Sequence, residues 1–326
     1  MRLKRQVAGR SVGAVGLGCM SFGGVYGATT EEESFACMAE AVALGMDHFD
    51  VAEIYGGGLC ETLVGRFLAQ TRAEVCIATK AGIYLDPERH FRNDAEALRR
   101  SLEGSLSRLG RDRVELFYIH RREAERSIEE VMETLVGFIE EGLIGSIGLS
   151  EVAPATLRRA QAVHPVAAVQ SEYSLWTRQP DLGMVRACAE LGVTFVAFSP
   201  LGRGMLADRF PDPSRFPPGD FRARNPRFVE PNYSANAAAI RPFQEWCHAQ
   251  GWSASATALS WTLHRGSHVL PIPGTRSAAH LRELAQAAEI ALTDREMADI
   301  ETILPPGFAH GARYSEAQWA GVEHYG

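Results

Sequence analysis

Eight short apolar runs, rich in Val, Ile and Phe, recur along the chain with longer helical stretches between them. No other feature constrains the fold as strongly. The runs are Val12–Met20, Met46–Ala52, Val75–Lys80, Val114–His120, Gly145–Ser150, Val166–Tyr173, Val193–Pro200 and His268–Gly274. Each is nearly continuous in apolar character, which reads as a strand buried on both faces and therefore as part of a parallel sheet. The helical pattern Glu31–Leu44 has Thr29 and Thr30 as capping candidates and stops at Gly45; Ala95–Leu109 stops at Gly110, and Ser127–Glu141 at Gly142. Glycine suits these ends because it enters the left-handed cap without a Cβ penalty.

Most successive strands lie about thirty residues apart, the length of one βα unit. Eight such units in series predict a closed (β/α)8 TIM barrel rather than an open doubly wound sheet. No composition shift divides the chain, so residues 1–326 are expected to form a single domain. Arg203–Ala237 carries Pro211, Pro213, Pro217, Pro218, Pro226 and Pro231, and is expected as a long loop after strand seven. The C-terminal tail beyond Leu304 is expected to pack as a loop or a short helix.

With 46% hydrophobic and 22% charged residues, the chain is neither collagen-like nor disordered. The net charge of −7 comes with no basic block, which argues against a nucleic-acid partner. Cys19, Cys37, Cys60, Cys76, Cys188 and Cys247 form no CxxC pair and read as buried, reduced thiols. The basic start MRLKRQ leads into VAGRSVGAVGLG, too broken by glycine for a signal-peptide core, and no apolar run reaches membrane-spanning length. A cytoplasmic protein with no membrane partner is expected. No pattern in the sequence indicates an oligomeric state.

A barrel gathers its chemistry at the carboxyl ends of its strands. Asp50 ends strand two, Lys80 strand three, His120 strand four, Ser150 strand five and Ser199 strand seven, while Gln170 lies late in strand six. Six polar groups finishing six apolar strands are expected to converge. Tyr55 follows Asp50 in HFDVAEIYGGG, where the loop returns its phenol over the strand end toward Lys80. A tyrosine holds its proton to about pH 10. A neighbouring ammonium is expected to lower that value. Asp50 is suitably positioned to keep a buried Lys80 charged, and His120 to donate a hydrogen bond to a substrate oxygen. Together they form a proton relay suited to turning a carbonyl into an alcohol.

These residues and the segments around them resemble the aldo-keto reductases. The resemblance spans nearly the whole chain: GLGCMSFGG at Gly16–Gly24, FDVAEIYG at Phe49–Gly56, IATKAG at Ile77–Gly82, FYIHRR at Phe117–Arg122, IGLSE at Ile147–Glu151, AVQSEYSLW at Ala168–Trp176, FSPLGRG at Phe198–Gly204 and PIPGTR at Pro271–Arg276. It implies an NADPH-dependent oxidoreductase, with NADH as the alternative cofactor, that reduces a small-molecule aldehyde or ketone by direct hydride transfer without a metal. Tyr55 would be the general acid, Lys80 would tune it, Asp50 would hold Lys80, and His120 would orient the carbonyl. The resemblance further implies that Ser150 and Gln170 bind the nicotinamide amide and that Phe198 stacks on its ring. Ser199, Pro200, Leu201, Gly202 and Arg203 would run along the pyrophosphate. Gly274, Arg276, His280 and Glu283 would border the adenosine end, and Gly18, Met20 and Asp50 complete the implied cofactor contacts.

Three departures bear on the cofactor, one being that the adenosine end offers Arg276 and His280 to a 2′-phosphate without an obvious lysine. Glu151 stands where many members carry asparagine, although one branch has this Ser-Glu pair, and Leu284 replaces a common asparagine that reads adenine. Two other readings are set aside. GRGMLA at Gly202–Ala207, with Asp220 downstream, matches a dinucleotide fingerprint, but the prolines from Pro211 onward leave no room for the helix it requires. Asp50, Glu53, His120 and His164 do not make a metal barrel, because His164 opens strand six at the wrong end. Tyr26, Tyr84 and Trp176 are the leading substrate-pocket candidates, with Phe22, Arg121 and Trp319 behind them. Arg121 is equally suited to an anionic substrate or to a salt bridge. Two functional alternatives stand beside reduction. One is a sugar or alcohol dehydrogenase running the same steps in reverse. The other is a nucleotide-sensing regulatory subunit, although such relatives typically carry asparagine at the position of His120.

Overall fold

The computed structural model describes residues 3–86 and 88–325. Eight parallel strands line up in chain order: β1 (Leu17–Gly18), β2 (His48–Asp50), β3 (Cys76–Ala81), β4 (Leu116–Ile119), β5 (Ile147–Ser150), β6 (Val166–Glu172), β7 (Thr194–Phe198) and β8 (Val269–Ile272). The ends of the sheet meet when the amides of Gly16 and Gly18 donate to the carbonyls of Pro271 and Pro273, at 2.9 and 3.0 Å. Proline has no amide to return the bond. The closing seam is therefore hydrogen-bonded in one direction only, and the barrel is complete.

Helices cover the outside: α1 (Glu31–Leu44), α2 (Leu59–Thr71), α3 (Ala95–Leu109), α4 (Ile128–Glu140), α5 (Pro154–Val163), α6 (Met184–Leu191), α7 (Asn232–Ala249), α8 (Ala254–His264) and α9 (Ala278–Ala285), followed by α10 (Asp294–Ile303). The expected helix ends are present. Thr30 and Glu33 form a reciprocal capping box at the start of α1, and Gly45 closes it in the left-handed conformation. Such a cap contributes about 1 kcal/mol. The tail carries one short helix, α11 (Glu316–Trp319).

Two expectations are corrected. The run Val12–Met20 is not one strand. Its start belongs to an antiparallel hairpin, Lys4–Val7 with Arg10–Gly13, and its end, with Met20, to a 3-10 turn at Cys19–Gly23. Val7 and Val12 of the hairpin join the apolar cluster that also holds Leu116, Tyr118 and Val196, so the hairpin plugs the barrel. The loop expected at Arg203–Ala237 ends early, since α7 starts at Asn232. The prolines hold the chain to short 3-10 turns only as far as Pro231; beyond it the alanine-rich sequence favours helix.

Most of the buried apolar side chains sit between sheet and helices, and a smaller cluster fills the barrel interior. Tyr118 lies in that interior, fully buried, and a Cβ at Gly148 of the adjacent strand would come within 2.4 Å of its ring. Only a glycine lets the ring lie there. Gly148→Ala should destabilise the protein by about 1–3 kcal/mol through overpacking, read as a lower urea midpoint. An unchanged midpoint would show that Tyr118 has room to move.

Candidate active site

β2 delivers Asp50 to the mouth of the barrel, and the chain then folds back through tight turns, with the Tyr55 amide donating to the Ala52 carbonyl at 3.0 Å. The loop after β1 packs against this turn so closely that a Cβ at Gly23 would lie 2.7 Å from the Tyr55 carbonyl carbon. These contacts fix the Tyr55 backbone, and the phenol reaches back over Lys80. The Lys80 ammonium is wholly buried. It donates to Asp50 Oδ1, to the Val51 carbonyl at 2.8 Å and to Tyr55 Oη at 3.2 Å. Three donors meet three acceptors, which satisfies the charged form of lysine. Gln170 Nε2 donates to the other carboxylate oxygen of Asp50 at 2.8 Å. The His120 ring meets the Tyr55 ring edge-on, with centroids 5.8 Å apart.

Burial acts to lower the Lys80 pKa, but the Asp50 carboxylate and the Tyr55 oxygen outweigh it and raise the value. The expectation for Tyr55 needs correcting. Burial pushes its phenol up to about 12, and Lys80 only partly offsets this. A phenol in this setting keeps its proton at neutral pH and is poised to donate. Burial, followed by the charges of Lys80, Arg121 and Arg89, holds His120 well below the ordinary histidine value. At neutral pH it is an uncharged imidazole.

A cleft of about 1070 Å³ opens above these groups. Tyr55, Asp50 and His120 line it with Gly18, Met20, Ser150, Gln170 and Phe198. Ser199, Pro200, Leu201 and Arg203 continue along one wall, and Gly274, Arg276, His280 and Glu283 lie toward the far end. Lys80 and Gly202 fall just outside the lining. Gly202 packs on the Trp176 indole, where a Cβ would lie 2.8 Å from the ring. Gly18 lets two backbones approach, since its Cβ would stand 2.7 Å from the Ile272 carbonyl oxygen.

Of the three leading pocket candidates, Tyr26 lines the cleft. Tyr84 does not: its hydroxyl is turned to Ser101, at 3.0 Å, and to the Ala97 carbonyl. Trp176 is core, packed edge-on against Phe228, with its indole N–H directed at Asn236. Phe22 is likewise fully buried, and Trp319 packs against Tyr314 and His324. Arg121 makes no salt bridge among the described residues; it lines the cleft and donates to Ser150 Oγ at 3.1 Å.

A buried charge cluster escaped the sequence reading. Arg203 pairs with Glu172 at 2.6 Å, and Arg313 of the tail pairs with Glu151 at 2.6 Å. Arg227 lies among them, and burial together with the charges of Arg203 and Arg313 brings its value down to about 10. Glu151, held by Arg313 and accepting from the Glu172 amide, is thereby turned to the tail. The acid of QSEYS, at the carboxyl end of an apolar strand, was the signal for a buried partner. Among the described residues no group of three or more His, Cys, Asp or Glu side chains is arranged to hold a metal ion.

Asp50→Asn leaves the Lys80 charge buried without its carboxylate, at an expected cost of about 3–5 kcal/mol. In the native protein the raised Lys80 value makes this contribution complete below the unfolded lysine pKa, and it fades only above it. In the variant the buried lysine titrates below its unfolded value, so the unfolded chain binds more protons and stability rises with pH. The urea midpoint of Asp50→Asn should therefore climb between about pH 7 and about pH 10 while that of the native protein does not. Parallel curves would contradict the pairing.

Comparison with known proteins gives the family. Residues 14–305 match the Aldo/keto reductase family. The chain is 37% identical over 318 residues to the aldo-keto reductase yakc [NADP(+)] of Schizosaccharomyces pombe, covering 95% of this chain and 94% of that protein. A glycerol dehydrogenase from Gluconobacter oxydans superposes with a TM-score of 0.85 at 25% identity, over 93% of this chain and 95% of that one. An aldo-keto reductase from Klebsiella pneumoniae, solved with NADPH, shares the fold at a TM-score of 0.75 and 22% identity, over 97% of this chain and 99% of that one. With its eight parallel strands closed into a barrel, the chain belongs to the aldo/keto reductase family.

Proposed function

We propose that the protein reduces an aldehyde or ketone to an alcohol with NADPH, and that Tyr55 donates the proton. The observation that carries this reading is the Tyr55–Lys80–Asp50 chain at the floor of the cleft, with its phenol held protonated.

The cleft suits a dinucleotide. Glu283 Oε1, among the residues lining its far end, is buried without a partner, and an exocyclic adenine amine would satisfy it. Phe198 offers a flat face for the nicotinamide, and Ser150 and Gln170 offer polar groups for its amide. Arg276 is exposed at the adenosine end, where a 2′-phosphate favours a cation, which supports NADPH over NADH. When bound, the cofactor supplies a hydride from C4 of its nicotinamide to the carbonyl carbon.

The remaining chemistry belongs to the chain. Neutral His120 and Tyr55 Oη hydrogen-bond the carbonyl oxygen, which polarises the carbonyl and fixes its orientation. As negative charge grows on that oxygen, the Tyr55 proton moves to it. The Lys80 ammonium at 3.2 Å stabilises the phenolate left behind, and Asp50 holds the ammonium in place. A phenol raised to about 12 is in its protonated form at neutral pH, the form that the reduction step uses. His120, in place of the asparagine typical of nucleotide-sensing relatives, favours turnover over sensing. The reading includes a cytoplasmic setting, where six free thiols stay reduced.

With a reactive aldehyde such as nitrobenzaldehyde, NADPH should be consumed. Tyr55→Phe should lower kcat by roughly 10²–10⁴-fold while NADPH binding, read by fluorescence quenching, is retained. A variant with full turnover would overturn the role of Tyr55, and tight NADPH binding with no turnover of any carbonyl would favour the sensor.

A further inference from the structure

Arg121 follows β4 directly after His120 and lines the cleft, although only 7% of its surface is exposed. Its Nη1 is occupied, donating to the His120 carbonyl at 2.6 Å and to Ser150 Oγ at 3.1 Å. Its Nε is buried without a partner, and Nη2 makes no hydrogen bond among the described residues. Nor is any described carboxylate close enough to pair with it. Glu123, two residues on, pairs with Arg126, and Glu151, next to Ser150, pairs with Arg313.

An unpartnered Nε recurs at buried Arg313, but that guanidinium has Glu151 at 2.6 Å, and other buried arginines are likewise supplied with acceptors. Arg203 has Glu172 at 2.6 Å. Arg5 has no carboxylate, but its Nε and Nη2 donate to the Val269 and Leu263 carbonyls at 2.9 and 3.0 Å. A guanidinium is a cation with five N–H donors and no acceptor. A buried cation with an unused edge is costly unless a ligand completes it. The unused edge consists of Nε and Nη2, two parallel N–H groups whose spacing matches the two oxygens of one carboxylate. Arg89 adds a second cation near His120 and has no carboxylate among the described residues, its Nη1 donating to the Ala317 carbonyl at 2.8 Å. In a chain of net charge −7, this local excess of positive charge draws anions to the cleft.

We infer that the substrate is a carbonyl compound bearing a carboxylate, an oxo acid or an aldehyde acid, and that Arg121 binds that carboxylate beside the reacting carbonyl. The inference rests on the reductase reading and names its substrate class. Arg121 is then a specificity residue, and through its bond to Ser150 it couples the substrate's charge to the nicotinamide pocket.

The test compares kcat/KM with NADPH for paired aldehydes: succinic semialdehyde and its methyl ester, 4-carboxybenzaldehyde and its methyl ester, and glyceraldehyde 3-phosphate and glyceraldehyde. In each pair any general damage to the enzyme cancels. The native protein should prefer at least one acid over its ester by about tenfold or more, mainly through KM. Arg121→Gln should bring that ratio close to one, and Arg121→Lys should restore it only in part, because lysine lacks the planar fork. Native ratios near one for both acids, a ratio unchanged in Arg121→Gln, or a larger preference for the phosphate would overturn the inference and leave the reductase reading intact. Failure to turn over any aldehyde, esters included, would overturn both.

Discussion

A buried ammonium holds the site together. Lys80 has no contact with solvent, and its charge survives because Asp50, the Val51 carbonyl and Tyr55 each accept one of its protons. The three acceptors come from the end of one strand and the turn after it, so β2 and β3 must lie side by side, in register, for the lysine to be tolerated at all. The pairing of Asp50 with Ala78 sets that register, two residues before Lys80. Fold and chemistry thus depend on the same contact. The barrel aligns the two strands, and the ion pair penalises any other alignment. The chain has only two lysines, Lys4 and Lys80, among 33 basic residues, and Lys80 stands where a compact ammonium is needed.

Around this centre the electrostatics follow one pattern. Burial raises the Tyr55 phenol and lowers the His120 imidazole, and in both cases the uncharged form is favoured. The groups that meet the carbonyl are therefore neutral donors, while the charge that stabilises the product side sits one layer below. On the rim, charges are paired instead. Arg313 ties the tail to Glu151, and Glu323 reaches both Arg122, at 2.7 Å, and the Ala153 amide. These contacts tie the tail down beside the mouth, while Arg121 and Arg89 have no carboxylate among the described residues.

Much of this was legible in the sequence, because strands and helices announce themselves by period and by their caps. The α1 and α3 boundaries coincide with Thr30, Gly45, Asp94 and Gly110, which satisfy backbone groups at the helix ends. The relay residues were legible because polar groups ending apolar strands have few places to go. The sign of the Tyr55 shift was not legible, since it depends on how burial and one ammonium balance, and burial is a property of the finished packing. Tyr84 and Trp176 were misread for a related reason. Aromatic character alone does not tell a loop that faces the cleft from one that packs beneath it. Arg313, far from Glu151 in the chain, could be matched to its partner only by the fold.

The central claim is that Lys80 stays an ammonium in the barrel interior, and with only two lysines it can be observed directly. In protein labelled with nitrogen-15 lysine, the Nζ resonance that remains in a Lys4→Arg control belongs to Lys80. The account predicts an ammonium shift for Lys80 that persists to about pH 10, above the range in which a buried lysine without a carboxylate would titrate. A neutral amine at about pH 8 would contradict it, because Tyr55 would then have no cation to receive its charge.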